Sequence, residues 1–172
     1  MRYIAEADFG SFVAEALENA ICSEVIVGAY GNLYVGLGRV VMPAPIKRPH
    51  PRFEGKFVFA REAEPEYSIA TYESQWNLQS GKCHLTDSTE VNDQLETALR
   101  SELVGQPARL WFLLDGTLGI EITFGDSVVL TITPDDCRQS HWAIQTASSY
   151  EVVSRADGRT YIIEEGEPDP LE

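Results

Sequence analysis

The chain has 172 residues, enough for one domain or for two small halves sharing a core, and its 44% hydrophobic and 23% charged residues are those of a folded globular protein. It carries 13 Lys and Arg against 27 Asp and Glu, a formal net charge of −14, which repels phosphate backbones and anionic membranes and attracts cationic partners. Nucleic-acid binding is therefore disfavoured, and no stretch approaches the roughly 18 apolar residues of a membrane-spanning helix. Acidity also serves solubility, so charge alone assigns no function.

The opening Met1-Arg2-Tyr3-Ile4-Ala5-Glu6-Ala7-Asp8 has no apolar core of signal-peptide length, which gives the expectation of a cytoplasmic protein. Phe12, Val13, Ala16, Leu17 and Ala20 form an apolar stripe at helical spacing, with Asp8 or Ser11 available as N-cap. A hairpin follows, turning at Gly31-Asn32 and returning with alternating apolar residues through Leu37. Gly36-Leu37-Gly38 starts a Gly-x-Gly, but neither a third glycine nor a helix follows to cradle a phosphate.

From about Met42 to Glu62 the composition changes. Pro43, Pro45, Pro49 and Pro51 rule out a central strand, while Lys47, Arg48, His50, Arg52, Lys56 and Arg61 concentrate positive charge. The simpler reading of segment 43–61 is a solvated loop packed by Phe53, Phe57 and Phe59. The functional one is a recognition loop. A strand around Trp76 comes next, and then a second helical stripe of Val91, Leu95, Ala98, Leu99 and Leu103. Its punctuation is clear: Asp87 and Ser88 for the cap, Glu90 and Asp93 in the first turn, Gly105 and Pro107 beyond the end.

The rest of the chain alternates like half-buried antiparallel strands. Leu110, Phe112 and Leu114 are followed by Leu118, Ile120, Ile122 and Phe124, a turn at Gly125-Asp126, and then Val128, Leu130 and Ile132. The loop Pro134-Asp135-Asp136 precedes a strand holding Trp142 and Ile144, and a last hairpin bends about Asp157-Gly158. Residues 164–172 form an acidic tail broken by Pro168 and Pro170, expected to fray.

Two segments echo earlier ones in the same order. Ala29-Tyr30-Gly31-Asn32-Leu33 lines up with Leu114-Asp115-Gly116-Thr117-Leu118, and Ser74-Gln75-Trp76-Asn77-Leu78-Gln79 with Ser140-His141-Trp142-Ala143-Ile144-Gln145. The expectation is an α+β protein with β-rich antiparallel sheets and two helices. Its single domain over 1–172 would hold two pseudo-repeated helix-plus-sheet halves, at about 9–82 and 88–164.

Catalytic signatures are missing from the sequence. Gly125-Asp126-Ser127-Val128-Val129 fails the nucleophile-elbow pattern at its last position. Cys22, Cys83 and Cys137 lie far apart and are odd in number, which suits free thiols better than a disulfide framework. His50, His84 and His141 are scattered, and the adjacent Cys83-His84 would point to opposite faces of an extended chain, so no metal site is expected. Trp76, Trp111 and Trp142 fall on alternating strands and are expected in the core. The expectation is a protein that is not an enzyme and needs no cofactor.

One resemblance bears on function. The stretch Asp115-Gly116-Thr117-Leu118, Ile122-Thr123-Phe124-Gly125-Asp126, Val129-Leu130-Thr131-Ile132 and Trp142-Ala143-Ile144 resembles a module of bacterial immunity proteins encoded beside contact-dependent and other polymorphic toxins. The resemblance covers roughly residues 105–150. It implies a small cytoplasmic protein that neutralises a cognate, basic toxin domain by direct occlusion, with no catalytic residues. Candidate partner-binding carboxylates are Glu90, Asp93, Glu96 and Glu102 on the second helix and Asp135 and Asp136 on the loop before Trp142. The alternative is an adaptor or small-molecule-binding domain without catalysis, and the oligomeric state stays open.

Overall fold

A computed structural model of the chain describes residues 2–4, 17–28, 31–42, 46–49, 57–60, 63–71, 74–89, 94–114, 119–133, 140–146, 150–155 and 160–164. In chain order the strands are β1 (Arg2–Ile4), β2 (Cys22–Val27), β3 (Leu33–Val41), β4 (Ile46–Pro49), β5 (Phe57–Ala60), β6 (Glu64–Thr71), β7 (Gln75–Ser80) and β8 (Cys83–Asp87). After helix α1 (Leu95–Leu103) come β9 (Ala108–Leu114), β10 (Gly119–Phe124), β11 (Val128–Thr133), β12 (Ser140–Thr146), β13 (Tyr150–Arg155) and β14 (Thr160–Glu164).

The strands form a seven-stranded sheet, β1-β14-β13-β12-β6-β3-β2, a five-stranded sheet, β8-β7-β11-β10-β9, and a separate hairpin of β4 and β5. All pairings are antiparallel. Alternation puts every second residue inward. In the larger sheet Val35, Ile69 and Ile144 lie in register as one buried row, and in the smaller sheet Ile122, Leu130 and Leu78 form another. Both rows join one core cluster with Trp76, Trp142, Phe124 and the Leu95, Leu99 and Leu103 face of α1.

This arrangement corrects the expected α+β class. Among the described residues there is one helix, and the protein is β-rich with antiparallel sheets. The sequence halves are not separate helix-plus-sheet units either. Strands β12 to β14 complete the sheet begun by β2, β3 and β6, while β7 and β8 join β9 to β11. Alternation identifies which side chains face inward but carries no information about the neighbouring strand, so interleaving was invisible to it. Of the first predicted stripe, Phe12, Val13 and Ala16 lie outside the described residues, while Leu17 is buried.

Two turns hold the predicted glycines, although the β2–β3 connection runs over residues 28–32 and is longer than a two-residue turn at Gly31-Asn32. The β2–β3 turn is closed by the Gly28 N–H donating to the Asn32 carbonyl at 2.8 Å, with Gly31 at φ 76°. The β10–β11 turn has Gly125 at φ 59°. Part of the proline-rich segment, expected as a loop, is instead a hairpin in which Pro49 of β4 stands opposite Phe57 of β5. A two-stranded ribbon tolerates proline because each strand has an unpaired edge. Asp87 and Ser88 do not cap the helix; they close β8. The Thr89 N–H donates to Asp87 Oδ1 at 2.8 Å, and the Trp76 N–H to Ser88 Oγ at 3.4 Å.

The Trp76 Nε1–H donates to the Gly31 carbonyl at 2.7 Å, joining the smaller sheet to a turn of the larger one. Replacing Trp76 with Phe keeps much of the apolar volume but strands that buried carbonyl. The expected cost is about 1–3 kcal/mol in urea denaturation, and a loss near zero would show that the bond adds nothing. A Cβ at Gly36 would stand 2.5 Å from Pro65 Cγ and 3.2 Å from Glu24 Cβ. The pyrrolidine ring has little freedom to move aside, so Gly36→Ala is expected to destabilise by about 1–3 kcal/mol; unchanged stability would mean that β6 yields readily.

Candidate binding recess at the junction of the sheets

The two large sheets meet where the chain enters β2 and β9. Residues 19–22 run beside 105–108 and exchange four backbone bonds, each of 2.8 Å: Asn19 N–H to Ala108 O, Cys22 N–H to Gln106 O, Gly105 N–H to Cys22 O, and Ala108 N–H to Ala20 O. Ile21 and Pro107 face each other as an isolated bridge. Proline fits because none of these bonds needs its missing N–H. The carbonyls of Ile21 and Pro107 are taken by the Gly38 and Gly125 N–H groups, both at 2.8 Å. Asn19, Gly38, Gly105 and Gly125 have φ of 66°, 80°, 87° and 59°, so left-handed residues surround the junction. Glycine and asparagine bear that conformation at the lowest cost.

On one side of the junction lies an open cavity of about 370 Å³, lined by Glu18, Asn19, Ile21, Gly38, Arg39, Glu66 and Tyr67, with Ala20. The break in β3–β6 register between Leu37 and Val40 turns Arg39 outward at its edge. Gly38 keeps the floor open: a Cβ there would meet Glu66 Oε2 at 3.2 Å and Tyr67 Cδ2 at 3.4 Å. Arg39 Nε lies 3.7 Å from Glu66 Oε2, and the arginine side chain is 87% exposed. Ile21 is an exposed apolar wall, and the chain leads away through exposed Val40 of β3 and Met42 just beyond it. Farther along the same strands, burial holds the Tyr34 phenol above its ordinary value. The carboxylates of Glu24 and Glu64 push the same way, against a hydrogen bond with Ser68.

Of the predicted partner-binding residues, Glu96 and Glu102 are described. Glu90, Asp93, Asp135 and Asp136 lie outside the described residues. Glu102 is exposed on α1. Glu96 is committed internally: its Oε2 accepts the Val27 N–H at 3.1 Å, and its Oε1 lies 3.7 Å from Arg100 Nη1. That carboxylate covers the outer edge of β2, which would otherwise offer a free donor to another strand. Neither Glu96 nor Glu102 lines the recess. Nothing in the sequence pattern singles out Glu18, Arg39, Glu66 and Tyr67, and Gly36-Leu37-Gly38, an incomplete phosphate-loop start, lies where β3 breaks its pairing.

The remaining chemistry is dispersed. His84 Nε2 lies 3.2 Å from Asp87 Oδ2 at an exposed strand end. Hydrogen bonds from the Thr89 hydroxyl and N–H, with His84 contributing last, hold the Asp87 carboxyl below its ordinary value. Among the described residues no group of three or more His, Cys, Asp and Glu gathers as a metal site requires, and no helix is long and apolar enough to cross a membrane. Compared with protein-family models, curated proteins and solved structures, the chain shows no match.

Cys22 and Cys83 are free thiols, one buried and one exposed; Cys137 lies outside the described residues. Burial pushes the Cys22 thiol from 9.0 up to about 12. The fold therefore favours its neutral form, and this contribution to stability is complete below pH 9.0 and is lost as pH rises through about 12. An aromatic disulfide reagent at pH 8 is expected to modify Cys83 in the native protein and Cys22 only after denaturant is added. Mass mapping that finds both modified at one rate would show that Cys22 is accessible.

Proposed function

We propose that this chain is a binding protein without catalytic activity, and specifically an immunity protein that neutralises a cognate basic toxin domain in the bacterial cytoplasm by covering its working surface. The observation that carries this reading is the charge of −14. Its exposed carboxylates include Glu18 beside the recess and Glu102 on α1. A protein that acts by occlusion needs a complementary surface and no reacting group. Opposite charge accelerates the encounter with a basic partner and disfavours acidic ones.

One observation favours a second reading. The cavity of about 370 Å³ falls within the roughly 300–1,000 Å³ typical of small-molecule sites. Its width toward solvent suits a protruding side chain better than an enclosed ligand, so protein binding remains the preferred account.

The test is a pull-down with the product of the adjacent gene, followed by association rates at low and high salt. A complex should form, and reversal of Glu102, or of Asp135 and Asp136 together, should slow low-salt association by about tenfold. No complex with that product removes the immunity reading. A complex indifferent to salt and to these reversals replaces the electrostatic account with an apolar interface.

A further inference from the structure

The geometry points to the recess beside Gly38 as an anchoring pocket for an arginine side chain of a protein partner, with Glu18 and Glu66 receiving the guanidinium and Tyr67 offering its ring. The inference deepens the binding reading above and rests on it only for the identity of the partner.

Three observations combine. The cavity brings together two carboxylates, an aromatic ring and the exposed apolar Ile21, within a volume large enough for one long side chain. Arginine suits this mixture, since its planar guanidinium pairs with carboxylates and stacks on aromatic rings while its stem packs on apolar surface. Next, the absence of a side chain on Gly38 leaves the gap between Glu66 and Tyr67 open, and its φ of 80° disfavours any other residue there. Finally, a guanidinium already visits this carboxylate. Arg39 lies 3.7 Å from Glu66 yet is 87% exposed, and pairs this open to water hold their partners weakly. An incoming arginine displaces Arg39 at little cost and keeps the local charge balanced by bringing its own cation. Among the described residues that line the cavity, Arg39 is the single cation, against Glu18 and Glu66.

The experiment titrates N-acetyl-arginine amide into the full chain and follows backbone amide shifts by NMR, with the uncharged N-acetyl-citrulline amide and N-acetyl-lysine amide in parallel. The arginine probe should give saturable shifts centred on Asn19, Ile21, Gly38 and Tyr67, and citrulline should give none. Glu66→Gln should weaken binding by about tenfold, whereas Arg39→Ala, by removing the resident competitor, should tighten it by about threefold. Arg109 pairs with Asp126 at 3.1 Å outside the recess, so Arg109→Ala controls for overall charge and should change nothing. Shifts spread without saturation over the acidic surface overturn the pocket, as does indifference to Glu66→Gln. Equal binding of the lysine probe overturns guanidinium recognition. The two readings fail separately. Arginine binding without a complex with the adjacent gene product leaves the pocket and removes the immunity role. A toxin complex untouched by Glu66→Gln does the reverse.

Discussion

The contact between residues 19–22 and 105–108 is the constraint from which the rest of the architecture follows. Four backbone bonds of 2.8 Å fix the starts of β2 and β9 against each other. Those strands are edges of two different sheets, and binding them at one corner determines how both sheets approach the common core. The bonds also explain the unusual backbone nearby. For Ile21 and Pro107 to face each other, their carbonyls must find donors elsewhere, and the chain bends back at Gly38 and Gly125 to supply them. Irregular backbone at the junction is thus the means by which buried polar groups are satisfied.

The same bend produces the recess. Where β3 leaves its register with β6, side chains that an unbroken ladder would space evenly are brought to one rim, and a glycine with left-handed φ lies beneath them. Beside β2, α1 does different work. Its Leu95, Leu99 and Leu103 are buried, and Glu96 reaches the Val27 N–H. One edge of the strand is therefore covered by the helix while the other pairs with β3, and the recess lies just before its start, at residues 18–21.

Much of the strand content could be read from alternation. Ile120, Ile122, Phe124, Leu130 and Ile132 are all fully buried, and Trp76 and Trp142 belong to the core as their patterns implied. The glycines at 31 and 125 mark real turns because left-handed φ leaves a strong imprint on residue choice. What could not be read was which strand lies beside which. Ile69 finds Ile144 and Leu78 finds Leu130, pairings between segments far apart in sequence whose only local trace is an apolar residue at each position. The recess was equally hidden. Glu18, Arg39, Glu66 and Tyr67 come from three stretches of chain, and nothing in the spacing of any one anticipates the others. Glu96 illustrates the reverse. It reads as a surface charge, yet it serves the backbone of a strand distant in sequence.

Interleaved sheets also govern how such a chain reaches its folded state. Strand β6 lies between β3 and β12, so the larger sheet is not continuous until segments from both ends of the sequence are present, whereas the smaller sheet is built from residues 75–133. Contacts of this span require large loops to close before they return any stabilisation, which makes folding slow for the size of the protein. During synthesis β6 emerges well before β12, and until then it presents an open edge carrying Ile69. The nascent first half is consequently the most aggregation-prone species this chain passes through.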